Sequence, residues 1–160
     1  MKSIRLAGAV LAGLVATSAH ADCDHFKWSI AKERASFAAS PARLAATGSS
    51  AEVGTAYALA LAENVKLPVT PERKPSDSSY AAVVTVPKLE AGLYQVTLSD
   101  EAWIDVVQNG AIVKSSDFSG QRDCPGVRKT VRFHLTAAPA MIEISNSATP
   151  KLNIEISASH

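Results

Sequence analysis

The chain has 160 residues, with 16 Lys plus Arg against 15 Asp plus Glu, and 47% of its residues are hydrophobic. So balanced a charge excludes a bulk electrostatic attraction to nucleic acid or to a membrane surface. The length is that of one ordinary domain with a single core.

Residues 1 to 21 have the layout of an export signal. Lys2 and Arg5 form a charged start, and Leu6 to Val15 form an apolar stretch too short to span a bilayer. Ala19-His20-Ala21 is an A-x-A cleavage site, so cleavage is expected after Ala21. A lipobox needs a small residue before its cysteine, whereas Asp22 precedes Cys23. No later segment is apolar enough to be a membrane span, so none is expected once the signal is removed. The signal carries two of the 16 basic residues and none of the acidic ones, which leaves residues 22–160 with a net charge of −1. These residues are expected to form one domain in the periplasm or outside the cell. In an exported chain its two cysteines, Cys23 and Cys124, pair by default as a disulfide.

Asp24 to Ser40 reads as the one helix. Asp24 is placed to cap it, Phe26, Ile30 and Phe37 lie along one stripe, and Pro41 ends it. Ala42 to Val53 is a linker of small residues. Thr55 to Ala62 alternates, with Tyr57, Leu59 and Leu61 inward. Val65 to Val69 is a candidate edge strand interrupted by Pro68. Thr70 to Ser79 is a polar loop, and Tyr80 to Val86 is the next strand.

The clearest local signals follow. Leu93 to Leu98 alternates with period two, and Trp103 to Gln108 and Ala111 to Lys114 flank Asn109-Gly110, the dipeptide suited to a type I′ hairpin turn. That turn pairs Gln108 with Ala111, Val107 with Ile112, Val106 with Val113 and Asp105 with Lys114. One face then carries Ile104, Val106, Ala111 and Val113 and points to the core. The other carries Trp103, Asp105, Val107, Ile112 and Lys114, with Asp105 and Lys114 as a cross-strand ion pair. Ser115 to Val127 reads as a long irregular connection anchored by Cys124. Thr130 to Thr136, Ala140 to Ser145 and Lys151 to Ser157 complete the strands. The fold expected is all-β: an antiparallel β-sandwich of about eight or nine short strands with one N-terminal helix.

The sequence offers little catalytic chemistry. It has four histidines, one of them in the signal, and no H-x-H or H-x-D spacing supports a metal site built on His25, His134 or His160. G-x-S-x-G and S-x-x-K nucleophile motifs are absent, as are Gly-rich phosphate loops. No catalytic residue, metal or cofactor is expected. Binding is the better-supported class. Trp103, Asp105 and Lys114 form an aromatic platform with polar flanks, suited to a protein, peptide or carbohydrate partner rather than to nucleic acid. Burial of that face under the helix, with Trp28 and Phe37, is the competing expectation. Arg122 and Arg128, in and beside the long connection, are candidates to contact an anionic group.

The segments AYALAL, AGLYQVTLSDEAWIDVVQNG and CPGVRKTVRF together resemble a family of small, signal-bearing bacterial secreted or periplasmic proteins of unassigned function. Some of its members carry the name homogentisate 1,2-dioxygenase, which implies as an alternative a small iron-dependent oxygenase. The histidine-rich iron motif of that enzyme has no counterpart here, so no catalytic residue carries over. The G-x-Y-x-V-x-L pattern and the terminal I-x-I strand also resemble the pre-peptidase C-terminal type of β-sandwich, a non-catalytic accessory module. The first resemblance implies an exported chain, and the second implies a non-catalytic module.

Overall fold

A computed structural model describes residues 22–159, so the expected signal lies outside the described residues. Among the described residues eleven strands form two sheets. The first holds β1 (Ala42–Leu44), β3 (Ala56–Ala60), β5 (Gly92–Leu98), β8 (Ser115–Gly120), β9 (Lys129–Leu135) and β11 (Lys151–Ala158), in the order β1-β3-β11-β5-β9-β8. The second holds β2 (Ser49–Ser50), β4 (Tyr80–Val86), β6 (Trp103–Gln108), β7 (Ala111–Val113) and β10 (Ala140–Ser147), in the order β2-β4-β10-β6-β7.

The all-β expectation holds at that coarse level, but the strands number eleven rather than eight or nine, and the sheets are mixed. β1 runs parallel to β3, and β2 runs parallel to β4. Both short strands come from the stretch expected to be a linker. Between them the chain steps from one sheet to the other: Val83 N donates to Ala46 O, and Ala51 N donates to Thr85 O. Strands that switch sheets are a usual way to close a sandwich corner. At the opposite edge β7 passes into β8 through Lys114 alone, so the chain switches sheets there too.

The alternating strands bury what their period requires. Tyr57, Leu59, Val84, Val96, Leu98, Ile104, Val106, Phe133, Ile142, Ile144, Ile154 and Ile156 fill the space between the sheets. The hairpin register is as the turn dictates, with Gln108, Val107 and Val106 opposite Ala111, Ile112 and Val113. Asn109 and Gly110 have φ of 52° and 76°, the two left-handed positions of a type I′ turn. Ala111, expected on the core face, is exposed beside this turn.

The helix is shorter than its pattern suggests. Asp22–His25 is a 3-10 turn, and α1 covers only Ala31–Ala38. Tertiary contacts hold the intervening residues in another shape. Cys23 is bonded to Cys124, Phe26 and Ile30 pack with Phe37 and Val127, Lys27 N donates to Ser119 Oγ, and Gln121 Nε2 donates to His25 O. A helix through Phe26 would break these contacts, and its own propensity is too weak to compensate. The segment covers the outer face of the first sheet, where α1 lies against β3 and β11. Beneath it Glu33 Oε1 accepts from Gln95 Nε2 (2.7 Å) and Ser157 Oγ (2.8 Å). Glu155 is fully buried alongside, and among the described residues neither of its oxygens has a partner within 3.5 Å in good hydrogen-bond geometry. Burial pushes its carboxyl above the usual range, while Ser36 and the Lys32 ammonium 3.7 Å away pull it back only in part.

Candidate functional site

Two differences between the sheets open a cavity. The first sheet has six strands against five, and β7 is only three residues long. β6 and β7 lie across from β9, so β8, the edge strand beyond it, extends past the second sheet. A hollow of about 270 Å³ remains, with a hydrocarbon floor of Ile104, Val113, Val131 and Phe133. Its mouth is ringed by Trp103, Asp105, Phe118, Lys129, Glu72 and Ser115. Phe118 lies opposite Val131 on the overhanging strand and is 66% exposed, the one large hydrophobic side chain so placed among the described residues.

Trp103 is half-buried and held from two sides. Its Nε1 donates to Asp105 Oδ1 (3.0 Å), and the Arg73 and Lys129 cations each lie 5.8 Å from its ring centre. Asp105 Oδ2 accepts from Glu72 N (3.3 Å). Asp105 is 2% exposed, and burial pushes its carboxyl above the usual range. The bonds from Trp103 and Glu72 oppose that push. Lys129 Nζ donates to Ala102 O (2.9 Å) and lies 3.5 Å from Glu101 Oε1. Its side chain is 15% exposed, and burial pushes its ammonium below the usual lysine range, with Glu101 opposing.

The outer face of β6 is covered, but not by α1. The segment 63–79 crosses it, and no strand forms over the expected Val65 to Val69. Val69 N donates to Glu143 Oε1 (2.9 Å), Glu72 N donates to Asp105, and Ser76 N donates to Asn146 Oδ1 (2.9 Å). Glu143 is directly opposite Asp105 across β10 and β6 and is 1% exposed. Burial pushes its carboxyl up as well, and Asp105 adds to the shift. Its Oε2 and the neighbouring Ser145 Oγ lack hydrogen bonds among the described residues.

The expected site residues therefore divide. Trp103 and Asp105 come together at the cavity mouth. Lys114 is exposed just past the end of β7, and Asp105 bonds to Trp103 and the Glu72 amide rather than pairing with it. Arg122 is exposed in the 121–128 loop, while Arg128 is paired with Glu101, which also faces Lys129. Cys23 and Cys124 form the disulfide. Sequence reasoning missed Lys129, Phe118 and Glu72. The first read as one of several loop cations, and the other two lay in segments taken for irregular loops. β8 (SSDFSG) carries Phe118 as its single large apolar side chain and so offers no period-two pattern.

A wider hollow of about 580 Å³ lies near Arg43, Asp100, Lys151 and Asn153. It is broad and open, and no buried polar group converges on it, so the smaller cavity is the better seat for a ligand. Among the described residues no group of three or more His, Cys, Asp or Glu could hold a metal ion, and no helix is long and apolar enough to cross a membrane. Comparison with protein-family models, curated proteins and solved structures finds no match.

Proposed function

We propose that the protein is a non-catalytic, exported binding module whose ligand seat is centred on Trp103. The observation that carries this reading is the half-buried indole, fixed by its bond to buried Asp105 at the mouth of an apolar cavity. A rigid aromatic ring beside hydrocarbon supplies contact area at little entropic cost. The A-x-A site and the Cys23–Cys124 disulfide support export, since such bonds persist in oxidising compartments.

The test is a small-molecule library screened by thermal shift against the oxidised protein and its Trp103→Ala variant. Ligands that raise the melting temperature of the first and not of the folded second support the reading. A screen whose ligands bind the two proteins equally moves the seat elsewhere. Metal analysis of the purified protein addresses the oxygenase alternative, and one tightly held iron per chain would overturn the non-catalytic assignment.

A further inference from the structure

The chemistry around the cavity narrows what it can hold, given that Trp103 marks the seat. The space of about 270 Å³ lies just below the usual range for drug-sized ligands, roughly 300–1,000 Å³. A strand of peptide or an oligosaccharide is too large to enter it. The floor of Ile104, Val113, Val131 and Phe133 offers no hydrogen-bonding side chain. A sugar ring would bury its hydroxyls there without partners, which is unfavourable. A flat apolar ring meets no such penalty, and it would also cover Phe118.

The charged groups at the mouth differ in what they have left to give. Both oxygens of Asp105 accept bonds from within the protein, so its carboxyl is not free to hold a cationic head. Glu72 is exposed at the rim, where solvent screens it. Lys129 is the cation lining the cavity. Its ammonium has three donors, of which Ala102 O takes one and Glu101 lies at the long distance of 3.5 Å. It is poorly solvated at 15% exposure and gains from an anion brought beside it. Arg73, whose guanidinium also lies 5.8 Å from the Trp103 ring centre, adds positive potential near Lys129.

We propose that the cavity takes a small aromatic or alicyclic molecule bearing one anionic group, with its ring against the hydrocarbon floor between Trp103 and Phe118 and its anion at Lys129. The inference rests on the binding role assigned to Trp103 and adds the chemical class of the ligand.

Four probes test it on the oxidised protein: benzoate, benzyl alcohol, benzylamine and glucose, each titrated while the Trp103 indole N–H is followed by NMR. Benzoate is expected to shift that signal and to bind about tenfold more tightly than benzyl alcohol, the worth of one charge-assisted hydrogen bond. Lys129→Met keeps the apolar stem and should remove that advantage, so that the variant binds benzoate no more tightly than benzyl alcohol. Glu101→Gln, at an exposed position, should free Lys129 and tighten benzoate severalfold, which keeps the idea testable if the lysine variant does not fold. Equal or tighter binding of benzyl alcohol or benzylamine would overturn the anionic head while leaving the Trp103 seat intact. Glucose as the sole probe to shift Trp103 would overturn the ligand class and leave the binding role standing. No shift with any probe would overturn the class as well, and the library screen would then judge the binding role separately.

Discussion

Replacing Trp103 with phenylalanine isolates one bond. The ring and most of its packing remain, but the donor to Asp105 Oδ1 is lost. A hydrogen bond to a charged group contributes about 1.5–3 kcal/mol, and leaving a buried acceptor without its donor incurs the full desolvation penalty, so the loss should be about 2 kcal/mol at pH 8. The bond is strongest when the carboxyl is ionised, which gives the effect a pH signature. Burial already raises the folded Asp105 above its ordinary value of 3.8, and the Trp103 donor lowers it part of the way back. For an acid with a raised folded pKa, the stabilising contribution is present in full below 3.8 and is lost as pH rises through the folded value. Removing the donor raises that value further, so the variant loses more than the parent over this rise. The difference between the two should therefore be largest at pH 8 and shrink as the pH falls toward 3.8. Urea denaturation at the two pH values, followed by the remaining Trp28, measures it. An equal loss at both would show that the indole acts through packing alone, and no loss would remove the Trp103–Asp105 bond from the account of the site.

The other perturbations separate the remaining forces. Glu143→Gln keeps an oxygen for the Val69 amide and removes a buried charge, so it should match or exceed the parent's stability at pH 8, by up to about 1 kcal/mol, and lose the advantage by pH 4. Strong destabilisation at pH 8 would mean that the ionised carboxylate holds segment 63–79. Replacing both Cys23 and Cys124 with alanine opens a loop with a sequence separation of 101. In the chain-entropy treatment this lowers stability by about 4–5 kcal/mol, measured by chemical denaturation, and a loss under about 1 kcal/mol would place the constraint elsewhere. Gly110→Val puts a β-branched side chain at φ 76°, although its Cβ would meet nothing within 4 Å. The loss should be about 1–3 kcal/mol from backbone conformation alone, and an unchanged melting temperature would contradict the turn's role.

Much of this architecture is local, and local features are legible in the sequence. Leu93 to Leu98, Tyr80 to Val86 and the strands after Lys129 show their inner faces as a period of two, because a strand half-buried in a sandwich must alternate. Asn109-Gly110 set the hairpin register, because few other dipeptides accept two positive φ values. The two cysteines, in a chain whose first residues read as an export signal, pointed to their own pairing.

Other features exist only through contacts between distant segments. β1, of three residues, and β2, of two, are too short to announce themselves, and they form because longer neighbours offer open edges. β8 is polar, ends in Gly120 and shifts register between Ser115 and Asp117, so its alternation is broken where a strand pattern would be sought. The turn of helix expected before Ala31 gave way to the disulfide and to the packing of Phe26 and Ile30, contacts made across the chain. The cavity belongs to this second kind. No residue in it forms a motif with its neighbours in sequence. It arises because six strands lie over five at an edge where β7 stops after three residues, which leaves Phe118 and Lys129 beside Trp103 with space between them. Sequence period decides which side chains face inward, but the relative extent of two sheets depends on how their edges meet, and that is settled only when the chain packs.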